Sequence, residues 1–330
     1  MDTFDHILSS SELMKITIGP NESGQRIDKF IRKWMKDVPL SAIYKRLRKG
    51  DIRVNGSKVK EKYSLTEGDI VETRDIKTDL KKEKFKRIDN NFKVTYEDDN
   101  ILLVEKWPGV LVHSDKKNGE PTLTDYVLSY LYDKGDYQPE KEITFTPAPC
   151  NRLDRNTSGI VVYGKNYESL KLLNEMIRDR KIKKYYLALV KGKIKDKIYE
   201  AYISKDEDSN ISQISEDNKP GYKRIAMDVK TVQTCGLYSL LEIDLITGRS
   251  HQLRAHLSYL GNPIIGDSKY GDKELNSFFV NKFGLNFQFL YAYKLIFKDC
   301  AGKLEYMENK TIAESLPPIL KKIKNDAFKF

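Results

Sequence analysis

The sequence predicts an α+β protein: a larger, mainly antiparallel mixed-sheet domain preceded by a small α/β domain. Two observations carry the prediction. From Phe92 onward, β-rich runs such as those in VTYEDDNILLVEKWPGVLVH alternate with Asp98-Asp99-Asn100 and Trp107-Pro108-Gly109 turn signals. Strands dominate that region and helical periodicities lie between them, which suits an antiparallel sheet with attached helices. Before it, two short basic helices and a few small strands make a unit of about 50 residues, small for independent stability.

The N-terminus, MDTFDHILSS, is acidic and lacks the basic start and apolar middle of a signal peptide. No run approaches the roughly 18 apolar residues of a membrane span, so a cytoplasmic protein without membrane attachment is expected. Gly24 to Lys36 reads as an amphipathic helix, with Ile27, Phe30, Ile31 and Trp34 at i, i+3, i+4, i+7. Pro39 interrupts it, and Ser41 is placed to cap a second helix, Ala42 to Lys49, that Gly50 ends. Asp51 to Val54 and Ser57 to Lys60 read as strands joined at Asn55-Gly56, a tight-turn signal; Ile70 to Glu72 reads as another strand. Residues 74–91 are highly charged with little hydrophobic period, and a flexible linker is expected. The domains are therefore 1–73 (core 24–73) and 92–330.

In the second domain Tyr167 to Arg180 is helical, with Leu170, Leu173, Met176 and Ile177 on one face. Tyr185 to Val190, Ala226 to Val232 and Tyr238 to Ile246 read as strands. Ser204 to Pro220, polar and acidic, reads as a loop. Ser250 to Leu260 suggests a helix stopped by Gly261.

The charge is localised. The net charge of the 330 residues is +10. Arg26 to Lys62 alone carries thirteen Lys or Arg against four Asp or Glu, or +9. A concentrated basic face is the footprint of a polyanion-binding surface; the competing explanation is a merely solvated helix. The three cysteines, Cys150, Cys235 and Cys300, are too sparse for a disulfide framework or for CxxC metal spacing.

Several chemistries fail on inspection. GIVVYGKN, Gly159 to Asn166, resembles a phosphate loop, but Asn166 replaces the hydroxyl that would hold magnesium, and the apolar interior suits a buried strand. No G-x-G-x-x-G follows a strand. His251 and His256 are five apart, which misses the zinc-binding i, i+4 face, so no metal site is expected. Ser158 lacks a G-x-S-x-G elbow.

NRLDRNTSG survives. In an extended segment Arg152 and Asp154 share one side and Leu153 takes the other. An arbitrary R-x-D is usually a surface ion pair worth little. Here, however, a polar segment runs directly into a buried strand, a junction where rigid scaffolds present reactive groups. Tyr186, in KIKKYYLALVKG, reads as a core aromatic when taken alone. Arg249, His251, Gln252, Arg254 and His256 crowd eight positions, a density of planar donors that suits phosphates and base edges.

Two resemblances join these pieces. The stretch from Gly24 to about Thr73 resembles the RNA-binding domain named after small-subunit ribosomal protein S-four. That implies an RNA-facing second helix and following loop, with Lys45, Arg46, Arg48, Lys49 and Arg53 as RNA-binding residues. Almost the whole chain resembles the RluA-type pseudouridine synthases, in the RluC- and RluD-like branch that carries this domain. YEDDNILLVEKWPG, NRLDRNTSG, KYYLALVKG, TGRSHQLRAH and GNPIIGD match the family patterns in order. Two departures are Asn151, where the family usually has His, and Trp107, where a Lys-Pro pair is usual.

The resemblance implies isomerisation of uridines to pseudouridine in RNA, with large-subunit ribosomal RNA the expected substrate. Asp154 is implied as nucleophile, Arg254 as its ion-pair partner, and Tyr186 as a stacking and proton-moving residue. Leu253 would wall the pocket, Arg152 would enter the space left by a flipped-out uridine, and Arg249, His251 and Gln252 would bind substrate. The reaction needs no redox or energy input, so no cofactor or nucleotide is expected; a monomer is expected. The competing readings are a non-catalytic RNA-binding or ribosome-assembly protein with a decayed synthase domain, and an aspartate-dependent small-molecule hydrolase. The second leaves the basic N-terminal block unexplained.

Overall fold

The computed structural model describes residues 13–35, 38–73, 85–114, 119–206 and 209–329. They divide into two compact units. One holds the described residues up to 87 together with 132–146, and the other holds 88–131 and 147–329.

In the first unit, β1 (Met14–Thr17), α1 (Ile27–Trp34), α2 (Leu40–Lys49), β2 (Ile52–Val54), β3 (Ser57–Lys58) and β4 (Ile70–Thr73) follow one another. The four strands form an antiparallel sheet in the order β1-β4-β2-β3. Ile27, Phe30 and Ile31 are fully buried against Ile43, Leu47, Ile52 and Val71, as the helical period requires. Asn55 and Gly56 both have positive φ, at 49° and 73°, the backbone that a two-residue hairpin demands. Both helix starts differ from expectation. The first begins at Ile27, and the second at Leu40 with Pro39 as its N-cap and no side-chain cap. Proline supplies the pre-set φ that Ser41 was expected to enforce by hydrogen bonding.

The domain division also differs from the expected single cut. Most of the expected linker, 74–84, lies outside the described residues. Residues 132–146, assigned from sequence to the catalytic domain, belong to the first unit. Glu22 is buried there and accepts hydrogen bonds from the Thr144 amide and hydroxyl, both at 3.1 Å. A buried carboxylate requires such partners, but they lie 122 residues away and leave no local periodicity to read.

The second unit contains β5 (Lys93–Glu97), β6 (Ile101–Lys106), α3 (Leu123–Lys134, whose end crosses into the first unit), β7 (Ala148–Pro149), β8 (Ser158–Gly164), α4 (Tyr167–Arg178) and β9 (Ile182–Lys191). These are followed by β10 (Lys197–Asp206), β11 (Ile211–Ser215), β12 (Lys223–Thr234), β13 (Tyr238–Asp244), α5 (Gln252–Tyr259), α6 (Lys273–Phe283), β14 (Leu290–Phe297), β15 (Thr311–Ala313) and α7 (Pro318–Ala327). The strands make one sheet ordered β11-β10-β12-β13-β9-β14-β8-β6-β5, with β15 on β14 and β7 on β8. Its pairings are antiparallel except β14 with β8. A mainly antiparallel mixed sheet is thus what the chain forms.

β8 lies between β14 and β6. All seven of its residues are buried, which accounts for the apolar run that mimicked a phosphate loop. Asn166, the residue that spoiled that motif, caps α4 by accepting from the Ser169 amide at 3.0 Å. Gly159 holds φ +125°, and a Cβ there would sit 2.3 Å from the Ala292 carbonyl oxygen, so only glycine lets β14 lie alongside. The expected loop at Ser204 to Pro220 is instead partly the β10–β11 hairpin, with Ser204 paired to Gln213. Its polarity reflects an edge strand, whose outer face meets water. No helix among the described residues is long and apolar enough to cross a membrane.

Candidate active site

Asp154 lies in the connection from β7 to β8, and backbone pairing sets up that connection. Cys150 donates its amide to Val162 O at 2.7 Å. The chain then leaves the ladder, and the Asn151 side chain continues it: Oδ1 accepts from the Val162 amide at 2.8 Å and Nδ2 donates to Ile160 O at 3.3 Å. The Asn151 carboxamide therefore stands in for a missing stretch of strand. A side chain with one donor and one acceptor serves there, which resolves the departure from the usual His. Beyond it Arg152 is exposed, Leu153 is buried and Asp154 is half-buried, the alternation expected of an extended segment.

The far side of the turn is anchored as well. Thr157 donates its amide to Asp154 O at 3.0 Å, and the Thr157 hydroxyl accepts from Gln288 at 2.9 Å. Lys106, at the end of β6, is fully buried and donates to the carbonyls of Trp107, Val110 and Arg155 at 3.0, 2.9 and 2.9 Å. Burial pushes its ammonium down to about 7. Its three bonds tie the 107–110 turn to the residue after Asp154.

Arg254, on α5, is the hub. Its Nη1 donates to Asp154 Oδ2 at 2.9 Å. Its Nε and Nη2 donate to Asp267 Oδ2 and Oδ1 at 2.6 and 2.9 Å, a bidentate pair. Burial works against the guanidinium's charge, but the bonds to Asp267 and Asp154 outweigh it, and its pKa is raised. Burial likewise opposes the Asp267 carboxylate. Arg254 and the backbone amides of Tyr270 and Lys269 reverse that and hold its pKa below the ordinary value. Arg254 also lies over the Tyr270 ring, 5.3 Å from its centroid. The Tyr270 hydroxyl meets His251 Nδ1 at 2.9 Å and accepts from the Ser212 amide at 2.6 Å.

The two carboxylates on Arg254 are not equivalent. The Asp267 side chain is 0% exposed, and both its oxygens are engaged. Asp154 is 27% exposed, and only Oδ2 has a hydrogen-bond partner among the described residues. One is a brace; the other is a carboxylate held at a fixed angle with an oxygen to spare.

Tyr186, on β9, is buried near Asp154. Burial first, then the Asp154 charge, raises its phenol pKa, so it stays neutral. Leu253 is buried beside Arg254, and Arg249 is exposed in the preceding turn. Gln252 is held by the chain's own groups. It is buried, donating to Ala226 O at 3.1 Å and accepting from the Thr247 hydroxyl and Arg249 amide at 2.9 and 3.1 Å. In the first unit Lys45, Arg48, Lys49 and Arg53 are exposed and Arg46 is half-buried. Arg53 folds back on its own hairpin, donating to Gly50 O and Gly56 O at 3.0 and 3.2 Å.

Sequence reasoning missed Asp267, Tyr270 and Lys106 as site residues. Asp267 was visible as the last residue of GNPIIGD, but nothing local shows that it meets Arg254 across thirteen positions. No group of three or more His, Cys, Asp or Glu suited to a metal occurs among the described residues.

Comparison with known proteins gives the family. Residues 100–259 match the RNA pseudouridylate synthase family, and residues 25–71 match the S4 domain. The chain is similar to "Ribosomal large subunit pseudouridine synthase C" of Haemophilus influenzae, 32% identical over 97% of this chain and 98% of the relative. It is similar to the protein of the same name from Escherichia coli, 32% identical over 94% and 96%. An "Uncharacterized RNA pseudouridine synthase" of Mycoplasma capricolum is 33% identical over 92% and 98%. Among solved structures, "Human RNA Pseudouridylate Synthase Domain Containing 4" shares the fold, with a TM-score of 0.57 and 21% identity over 72% of this chain and 93% of that one. The chain belongs to the RNA pseudouridylate synthase family: it is an RNA pseudouridine synthase, an isomerase of uridine in RNA.

Proposed function

We propose that Asp154 is the nucleophile of this isomerisation and that the substrate is large-subunit ribosomal RNA. The observation that carries the first part is the unequal pair on Arg254: of the two carboxylates, Asp154 is the one partly exposed, with an oxygen that has no hydrogen bond among the described residues. The reaction breaks the bond from ribose C1′ to uracil N1, turns the base, and joins C1′ to C5. N1 gains a proton and C5 loses one, so no oxidant or energy source enters. A carboxylate oxygen at a fixed position serves such a step, and Arg254, itself fixed by Asp267, sets that position.

The target uridine leaves its stack to reach Asp154. Tyr186 stacks on the base and handles a proton. Exposed Arg152 enters the vacated space, and Leu253 closes the pocket's apolar wall. Arg249 and His251 meet the RNA, whereas Gln252 shapes the turn that presents Arg249. The first unit supplies phosphate contacts through Lys45, Arg46, Arg48, Lys49 and Arg53, and its domain boundary lies within 74–91. The enzyme works as a cytoplasmic monomer.

The ribosomal substrate rests on the names of the relatives and on the basic first unit. Pseudouridines are mapped chemically across total RNA from cells with and without the gene. Loss of one or more pseudouridines from large-subunit ribosomal RNA is expected. Loss only from transfer RNA would remove the substrate assignment.

A further inference from the structure

Lys184 lies two residues before Tyr186 on β9, on the same face of the strand and about 7 Å along it. It lines a cleft of about 460 Å³ bounded by the end of α4, the start of β9 and residues 244–249. Arg178, Arg180, Lys183, Lys184 and Arg249 contribute to its wall, and Asp244 is its one acid among the described lining residues. Two of these cations are neutralised: Arg178 pairs with Asp179 at 3.0 Å and Lys183 with Asp244 at 3.5 Å. The side chains of Arg180, Lys184 and Arg249 have no hydrogen bond or ion pair among the described residues.

Lys184 is the telling one. Arg180 and Arg249 are exposed, so water serves them, but Lys184 is only partly exposed. Burial lowers its pKa, Asp244 opposes that, and Arg180 adds to it. A partly desolvated ammonium with no hydrogen-bonded partner among the described residues is costly, and an anion entering the cleft lowers that cost. Five cations against one carboxylate favour an anion over a cation.

We propose that this cleft is a phosphodiester-binding subsite for the RNA segment flanking the uridine presented to Asp154. The inference rests on the assignment of Asp154 and Tyr186 to the target uridine, because Tyr186 places the base beside the cleft.

The test is filter binding of the full-length chain to large-subunit ribosomal RNA transcribed in vitro, across a series of KCl concentrations. Arg180→Gln, Lys184→Gln, the double variant and Lys184→Arg are compared with the unaltered chain. The slope of log affinity against log salt is expected to fall by about 0.7 per cation removed, or about fivefold in affinity at 0.1 M salt. Lys184→Arg is expected to keep the slope. Arg180 is exposed, so its variant reads the cleft even if Lys184→Gln fails to fold. An unchanged slope in the Arg180 variant, or in the double variant with a native circular dichroism spectrum, overturns the proposal. Inorganic phosphate at matched ionic strength is expected not to displace the RNA; specific displacement would assign the cleft to a free anion and also overturn it. Pseudouridine formation by Asp154→Asn is assayed on the same RNA: turnover that persists there sinks the assignment of Asp154, whereas an unchanged salt slope in the Arg180 variant sinks the subsite alone.

Discussion

Helices α2 and α5 are both short and basic, and they treat their cations in opposite ways. On α2, Lys45, Arg48 and Lys49 stand in water, with no ion pair among the described residues. On α5, Arg254 is buried and spends its guanidinium on two aspartates. Exposed cations cost little to keep, and each can displace counterions from a polyanion. A buried guanidinium costs far more and is tolerable only when its donors are filled. What it provides in return is geometry: a rigid line from Asp267 through Arg254 to Asp154. One chain thus keeps some positive charge open to water and spends some on fixing a carboxylate.

The largest expected effect tests the fixed carboxylate. Asp154→Asn keeps the side chain's volume but removes the charge, and turnover is expected to fall by about 10³-fold or more. RNA affinity should persist, and substantial turnover of synthetic uridine-containing substrate would sink the nucleophile assignment. Next comes the brace. Arg254→Met leaves the Asp267 carboxylate buried without its partner, and a loss of about 3–5 kcal/mol in urea unfolding is expected. A loss below about 1 kcal/mol would mean that this pair does not hold the site together.

Tyr186→Phe separates stacking from proton handling. The ring stays, so KM should hardly move, while kcat falls by about 10²-fold if the hydroxyl takes part in proton transfer. Because burial keeps this phenol neutral, its titration should not contribute an acidic or neutral limb to the pH profile. An unchanged kcat would leave Tyr186 with stacking alone. The smallest effect belongs to the cations open to water. Replacing Lys45, Arg48 and Lys49 together by Gln should reduce the salt slope of RNA binding by about 2. Stability should change by about 0.5 kcal/mol or less per surface substitution. Equal affinity and slope would assign the basic face of α2 some other role.

Much of this was legible locally. The 3.6-residue period at Ile27, Phe30 and Ile31 announced α1, and Asn55-Gly56 announced its hairpin. The apolar Ile160 to Tyr163 announced β8. The ordered motifs around Asp154, Tyr186 and Arg254 named a family, and with it three residues that converge in space. Legibility failed where a partner was distant. Nothing near Gln252 in sequence reveals that one of its N–H groups goes to Ala226 O, 26 residues earlier. Ile211–Ser215 read as loop because edge strands carry polar residues.

By itself, the sequence determined the α+β class, the periodic cores, the concentrated N-terminal charge and the family motifs that carry Asp154, Tyr186 and Arg254. Each of these is written within a few positions, as period, turn chemistry or charge density. Only the tertiary structure decided which carboxylate is presented and which is locked, because Asp154 and Asp267 share one arginine from opposite sides of the sequence. It also decided that Asn151 extends a strand, and that Glu22 is satisfied by a segment 122 residues later. The physical reason is common to all three. Burial is set by the whole fold, and a polar group is defined less by its type than by which partners burial leaves it.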